Sequence, residues 1–78
     1  MYNKQILPEK INVKCTDNDL VKEAYLSRFV ENEYMDIILN TVKLRLNYKN
    51  KGLYVGHMAG LEFTANTPEI TEIKPFRR

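Results

Sequence analysis

The side chains most often used in nucleophilic catalysis are scarce in this 78-residue chain, which has one cysteine, one serine and one histidine. A catalytic nucleophile needs a base and an orienting group within hydrogen-bond reach. Cys15, Ser27 and His57 lie in three different predicted elements, so the sequence pattern brings no pair of them together. We therefore predict that the protein is not an enzyme.

Metal and cofactor motifs are also missing from the sequence. No cluster of histidines and cysteines has the spacing of a zinc site. The run Asp17-Asn18-Asp19 offers carboxylates but lacks the glycine and the twelfth-position glutamate of a calcium loop. Neither GxGxxG nor GxxxxGK[ST] occurs. We predict that the chain needs no metal and no cofactor.

The lone cysteine and the hydropathy pattern indicate the cellular compartment of the protein. Cys15 has no partner for an intramolecular disulfide, which suits a reducing environment. No apolar run approaches the ~20 residues that span a bilayer, and the N-terminus lacks a signal-peptide core. We predict a soluble, cytoplasmic protein with no membrane partner.

Charge is unevenly distributed although the net charge is only +2. Residues 16–36 carry six acidic and two basic side chains, a local charge of −4. Residues 37–58 carry four basic side chains and no acidic one, a local charge of +4. The sequence thus predicts a protein with an acidic side and a basic side.

A β-hairpin is predicted between Val42 and Met58. Apolar residues alternate with polar ones from Val42 to Lys49, which is typical of a strand with one buried face. The turn residues Asn50-Lys51-Gly52 follow, and the extended pattern then resumes. One register pairs Tyr48 with Leu53, and a bulged register pairs Tyr48 with Tyr54. The two registers place His57 on opposite faces, and the sequence does not choose between them.

The elements around this hairpin complete the predicted fold. We expect a strand over Ile11–Cys15 and a helix from about Asp17 to Val30, capped by Thr16. Tyr34–Leu39 is predicted as a short helix or strand. Ala59-Gly60 reads as a tight turn into a third strand that begins at Leu61.

The resulting fold class is α+β, as one small domain over residues 1–78 with loose ends at about 1–8 and 75–78. A rival interpretation makes residues 33–50 a second helix, followed by a short C-terminal hairpin. Acidic residues begin that segment, basic residues end it, and Gly52 is placed as a C-terminal cap. Weak helix formers and the strict alternation favour the hairpin. Ile70 and Ile73 fit either a last edge strand or a single helical turn.

Our first functional hypothesis is a non-enzymatic protein-binding module, of the kind by which a phage or mobile element modulates or inhibits a larger host protein. It would bind through an acidic helix face or through the tyrosines of the hairpin. The candidate protein-binding residues are Asp17, Asp19, Glu23, Glu31, Glu33, Tyr48 and Tyr54.

Two alternatives remain open. A nucleic-acid-binding protein would use the basic hairpin and the C-terminal arginines, because basic side chains beside aromatic ones suit phosphate contacts and base stacking. Its candidate residues are Lys43, Arg45, Lys49, Lys51, His57, Arg77 and Arg78. A homo-oligomeric structural subunit is the other alternative, because an open meander leaves strand edges that a second copy can cover.

Overall fold

The chain folds almost entirely into β-strands. The computed structural model describes residues 4–69 and 71–73, and no helix occurs among them. The eight strands are β1 (Lys4–Ile6), β2 (Lys10–Cys15), β3 (Leu20–Val30), β4 (Tyr34–Leu39), β5 (Val42–Asn50), β6 (Leu53–Met58), β7 (Leu61–Asn66) and β8 (Thr71–Ile73). No helix long and apolar enough to cross a membrane is therefore found in the described part of the chain.

Strands β2 to β7 form a closed antiparallel barrel in which each strand pairs with the next one along the chain. The barrel closes where β7 returns to β2, with Thr64 opposite Lys14 and Phe63 opposite Cys15. Strands β1 and β8 pair with each other in a separate two-stranded sheet. Closure gives each of the six barrel strands a neighbour on both sides over at least part of its length, which reduces the free edges that an open meander would leave.

The barrel interior is filled by the apolar half of each alternating strand. In β4, Met35, Ile37 and Leu39 are buried, while the intervening side chains are partly exposed. The complete buried set is Val13, Cys15, Ala24, Met35, Ile37, Leu39, Leu44, Leu46, Tyr54, Phe63 and Ala65. Burial of this one set is the main stabilising contribution in so small a barrel.

Three hairpins turn through pairs of residues with positive φ. The pairs are Asn40-Thr41, Lys51-Gly52 and Ala59-Gly60. Two central residues with positive φ define the type I′ turn, whose twist matches that of the strands it joins. The prediction of a tight turn at Ala59-Gly60 is confirmed.

The prediction of a helix from Asp17 to Val30, and with it the acidic helix face, is wrong. This segment is the turn 16–19 followed by β3, which pairs with β2 through its first half and with β4 through its second half. Apolar residues lie on both faces of β3, for example Ala24 inside and Tyr25 outside, and a register shift falls between Leu26 and Arg28. Together these features give the strand an apolar spacing of three and four residues, which is typical of an amphipathic helix.

The rival helix over residues 33–50 is also wrong, because β4 and β5 occupy this segment. The fold is therefore all-β, and α+β is wrong. The predicted strand at Ile11–Cys15, the hairpin from Val42 to Met58 and the strand from Leu61 are confirmed. The hairpin adopts the bulged register, with Tyr48 opposite Tyr54.

The first and last described strands, β1 and β8, form the small sheet. Residues 1–8 were expected to be a loose end, but they contain strand β1. This strand pairs with β8, with Ile6 opposite Thr71 and Lys4 opposite Ile73. The last apolar segment is therefore a strand and not a helical turn. The other end expected to be loose, 75–78, lies outside the described residues, as does Ile70.

Candidate functional site

The two ends of the barrel are built differently. The upper end carries the turns 16–19, 40–41 and 59–60, and the lower end carries the turns 31–33 and 51–52. Because the meander alternates direction, every second hairpin turn lies at the same end.

Aromatic side chains fill the lower end. The ring of Tyr54 contacts those of Phe29 and Tyr48 edge to face, with centroids 5.8 and 5.3 Å apart. Tyr54 is fully buried, and its hydroxyl oxygen accepts a hydrogen bond of 2.9 Å from the backbone N–H of Asn32. Such edge-to-face pairs add to the stabilisation from burial alone. The lower end is closed by its own side chains.

The upper end is ringed by apolar side chains. The residue pairs that close its three hairpins are Cys15 with Leu20, Leu39 with Val42, and Met58 with Leu61. We call these six residues the apolar mouth. Its outermost side chains are well exposed, at 55% for Leu20, 44% for Val42 and 38% for Leu61. Apolar side chains grouped at one exposed end commonly mark a binding site.

A cavity of about 210 Å³ opens inside the apolar mouth. Five mouth residues line it, together with Val13 and Phe63 deeper in the barrel and the polar residues Asn18, Lys22 and Asn40. Small-molecule sites usually measure ~300–1,000 Å³, whereas an apolar cavity of ~150 Å³ accepts a benzene ring. The cavity is therefore suited to a single ring or a branched aliphatic group.

The turn Asn40-Thr41 beside the cavity has an unusual backbone. Thr41 has φ of 66°, and a branched Cβ makes such a conformation unfavourable for threonine. Strain of this kind is often found at functional sites. This turn thus gives a second, independent reason to consider the upper end as the functional one.

The five acidic candidates are not brought together. Asp17 and Asp19 lie in the upper turn, Glu23 lies on the outside of β3, and Glu31 and Glu33 lie in the lower turn. Strand β3 separates the two turns with its 11 residues. At ~3.3 Å per residue such a strand is roughly 36 Å long. These carboxylates therefore do not form one acidic face.

The two tyrosine candidates lie inside the barrel. Tyr48 is partly buried and Tyr54 is fully buried, and both belong to the aromatic cluster of the lower end. The ring of Tyr54 is therefore not available to a partner. Among the residues that the structure describes, the exposed tyrosine is Tyr25 on β3, at 50%, and the ammonium of Lys10 lies 5.2 Å from its ring centroid.

The basic candidates are divided among several places. Lys43 and Arg45 lie on the outside of β5, Lys49 and Lys51 are exposed near the lower end, and His57 lies outside β6. The Nε2 atom of His57 is 3.6 Å from a carboxylate oxygen of Glu62. Arg77 and Arg78 lie outside the described residues.

Arg45 is held rigidly on the outer surface. Its guanidinium donates hydrogen bonds of 2.8 and 3.1 Å to the two carboxylate oxygens of Asp36 and stacks 3.9 Å above the Tyr34 ring. The hydrogen bonds from Arg45 hold the pKa of Asp36 below its usual value, and they hold the pKa of Arg45 above its own. Much of the positive charge of Arg45 is therefore balanced within the protein by the carboxylate of Asp36.

Among the described residues, the side chains singled out for catalysis or metal binding are not brought together. Across residues 4–69 and 71–73, no group of three or more His, Cys, Asp or Glu side chains is placed to hold a metal ion. Cys15 is buried, and His57 is exposed on the outside of another strand. The apolar mouth, which sequence reasoning missed, is the best-defined candidate site.

A signal for the mouth was present in the sequence. Apolar residues stand immediately before and after each short upper turn, as Met58 and Leu61 do around Ala59-Gly60. The helix predicted over β3 concealed the pattern, because it removed Leu20 from the set. Comparison with protein-family models, curated proteins and solved structures gives no significant match to this chain.

Proposed function

We propose that this small closed β-barrel is a non-enzymatic protein-binding module whose binding site is the apolar mouth. The observation that carries the proposal is the ring of three apolar hairpin-closing pairs around an open cavity of about 210 Å³. The partner inserts one large apolar side chain into the cavity. The exposed side chains of Leu20, Val42 and Leu61 then surround that anchor.

The dimensions favour a protein side chain as the occupant. Protein interfaces gain most of their affinity from a few anchors in desolvated pockets, surrounded by contacts that exclude water. The cavity has the size of such an anchor, and the turn residues around it, among them Asp17, Asn18 and Asn40, supply a polar rim. A module of this size acts by binding to a surface of its partner and covering it, as a modulator or inhibitor does. We place this activity in the cytoplasm, in keeping with the single cysteine.

Adjacent residues of β3 provide a matched test of the proposal. Leu20 belongs to the mouth, whereas Val21 is equally exposed, at 58% against 55%, but lies on the outside of the barrel. Partners are captured on the immobilised wild-type protein, purified and titrated against Leu20→Asn and Val21→Asn. Because only Leu20 contacts the anchor, we expect Leu20→Asn to weaken binding about tenfold or more, which is ~1.4 kcal/mol, and Val21→Asn to have little effect. Equal affinities of the two variants would contradict the proposal.

A second candidate function, nucleic-acid binding, is favoured by one observation, the stacked Arg45. Asp36 fixes the guanidinium plane above Tyr34, and the register across β3–β5 places Arg28 and Lys43 near the same carboxylate. A rigid planar cation on a sheet surface suits stacking with a base, with Arg28 and Lys43 available to phosphates.

Salt dependence tests this second function. Fluorescence anisotropy with labelled single-stranded DNA and RNA is measured at about 50 and 200 mM salt, where the two phosphate contacts of Arg28 and Lys43 predict a roughly sevenfold loss of affinity. The double change Arg28→Glu and Lys43→Glu should abolish the binding. The control is the double change Lys49→Glu and Lys51→Glu, which reverses two exposed charges near the lower end, away from Arg45. Absence of binding at both salt concentrations would exclude the function.

Self-assembly, the third hypothesis, loses part of its basis. It rested on the free edges of an open meander, and in the closed barrel each of the strands β2 to β7 pairs with two neighbours over at least part of its length. A homo-oligomer remains a prediction, and sedimentation velocity across a range of concentrations tests it.

A further inference from the structure

One charged residue interrupts the apolar interior of the barrel. Residues directly opposite each other on paired strands face the same side of a sheet. Lys22 lies opposite Val13, which is 1% exposed, and between the inward-facing positions of Leu20 and Ala24 on β3. Lys22 therefore projects toward the interior, at the level of the apolar mouth.

No other inward position in the described part of the barrel holds a charge. The remaining inward positions hold aliphatic, aromatic or sulfur-containing side chains and one glycine. A local break in an otherwise consistent pattern is expected at functional positions.

Lys22 is also the one charged side chain that lines the cavity. A lysine at such a position packs its apolar stem along neighbouring apolar groups and keeps its ammonium at the opening. The side chain is exposed, so the ammonium is accessible from solvent. An apolar group that enters the cavity therefore passes close to a positive charge.

The acidic residues of the neighbouring turn do not neutralise this charge. Asp17 accepts a hydrogen bond of 3.1 Å from the backbone N–H of Glu62, and Asp19 lies 3.4 Å from the ammonium of Lys14. Among the ion pairs formed by the described residues, none includes Lys22. Lys22 is thus available to an anion brought by a partner.

We propose that the apolar mouth selects a partner segment in which the apolar anchor residue stands beside a carboxylate, and that Lys22 recognises the carboxylate. The carboxylate is the C-terminus of the partner chain, so that the anchor is the last residue of the partner. This proposal rests on the proposed function, because it assumes that the mouth holds an apolar anchor. It adds the charge of the partner, which the apolar residues alone do not specify.

Two small probes differ only in the charge that Lys22 would recognise. N-acetylphenylalanine carries a carboxylate next to an aromatic side chain, and N-acetylphenylalaninamide replaces that carboxylate with a neutral amide. Titration of the full chain with each probe, followed by two-dimensional ¹H–¹⁵N NMR spectra, gives a dissociation constant and locates the perturbed residues. We expect both probes to perturb the mouth, with the acid three- to fivefold tighter, which is up to ~1 kcal/mol for a solvent-exposed ion pair.

Three lysine variants separate recognition by Lys22 from general electrostatics. Lys22→Met fits the apolar interior and should reduce the preference for the acid over the amide to less than twofold. Lys22→Arg keeps the charge and should keep the preference. Lys49→Met removes an exposed charge near the lower end and should change nothing.

The outcomes distinguish this inference from the proposed function. Equal binding of acid and amide at the mouth, or a preference that survives Lys22→Met, overturns the role of Lys22 and leaves the apolar anchor site intact. Perturbation of the mouth by neither probe overturns both proposals. Octanoate binding at least tenfold more tightly than N-acetylphenylalanine would identify a free apolar acid as the occupant and overturn the peptide partner.

Discussion

The two ends of the barrel use apolar residues in opposite ways. At the lower end, Phe29, Tyr48 and Tyr54 pack against one another and leave Tyr54 with no exposed surface. At the upper end, the apolar side chains surround an opening, and Leu20 keeps 55% of its surface exposed. Both ends are apolar in sequence, and only one of them is packed.

This difference indicates a division of labour between stability and binding. Large rings that fill the lower end stabilise a chain whose core is small. The upper end leaves apolar surface in contact with water, which gives no folding free energy until a partner covers it. Substitutions at the two ends should therefore have very different effects on the free energy of unfolding.

The largest expected loss of stability comes from Tyr54→Ala. Removal of a fully buried ring from the aromatic cluster should lower the free energy of unfolding by about 3–5 kcal/mol, the usual range for a large aromatic side chain. Tyr54→Phe is the control, because it removes only the hydrogen bond with the N–H of Asn32 and should cost about 1 kcal/mol. Urea unfolding measures both. A loss below 1 kcal/mol for Tyr54→Ala would contradict the conclusion that the packed lower end stabilises the fold.

Gly56 gives the next largest effect, from the packed middle of β6. A Cβ at this position would lie 2.5 Å from the carbonyl oxygen of Arg45 and 2.7 Å from a methyl carbon of Leu46. Gly56→Ala should therefore destabilise the protein by up to ~3 kcal/mol, the range for overpacking. At the upper end, a Cβ on Gly60 meets nothing within 4 Å, so Gly60→Ala should cost only the ~1 kcal/mol of its left-handed backbone. Thermal unfolding of both variants tests whether Gly56→Ala destabilises the protein more than Gly60→Ala does.

The Asp36–Arg45 pair on the outer surface should contribute less than either packed region. The pKa of Asp36 is lowered in the folded protein by the hydrogen bonds from Arg45. The pair therefore stabilises the fold above the unfolded pKa of about 3.9 and loses that contribution as pH falls through the folded pKa. We expect Asp36→Asn to lower the free energy of unfolding by about 0.5–1 kcal/mol at pH 7. The difference from wild type should vanish once the pH lies below the lowered pKa of Asp36 in the folded protein, and a constant difference across the pH range would exclude the ion pair as its cause.

The smallest effect on stability is expected at the exposed side chains of the apolar mouth, such as Leu20. Leu20→Asn removes a side chain that is already more than half exposed, so the free energy of unfolding should change by no more than about 0.5 kcal/mol. The same variant should lose partner binding, as described above. Urea unfolding of Leu20→Asn and of its control Val21→Asn measures the change. A loss of 2 kcal/mol or more, of the order seen for buried residues, would show that the upper end is structural.

The local pattern predicted some parts of the fold well. Strict alternation in Val42–Lys49 and the turn residues that follow gave the β5–β6 hairpin, because a strand with one buried face has a period of two residues. The same period identified β2 and β7. In β3, apolar residues on both faces and the bulge between Leu26 and Arg28 imitated a helical stripe, so the local pattern pointed to the wrong structure.

The candidate site depended still more on tertiary structure. Acidic residues that are close in sequence were expected to share one helix face, and β3 instead separates them along its length. Leu20 and Leu61 are 41 positions apart in sequence, and they meet at one opening because the meander closes. Tyr54 was expected at a binding surface, and its position inside the lower end makes it part of the core.

The sequence by itself determined where four of the eight strands fall, β2, β5, β6 and β7, where two of the tight turns fall, and which side chains are available for chemistry. These properties depend on residue type and on neighbours a few positions away. Tertiary structure decided the closure of the barrel, the register of the hairpin and the contrast between a packed end and an open one. Those depend on pairing between distant strands, whose free energy comes from burying a shared interior that no single segment contains.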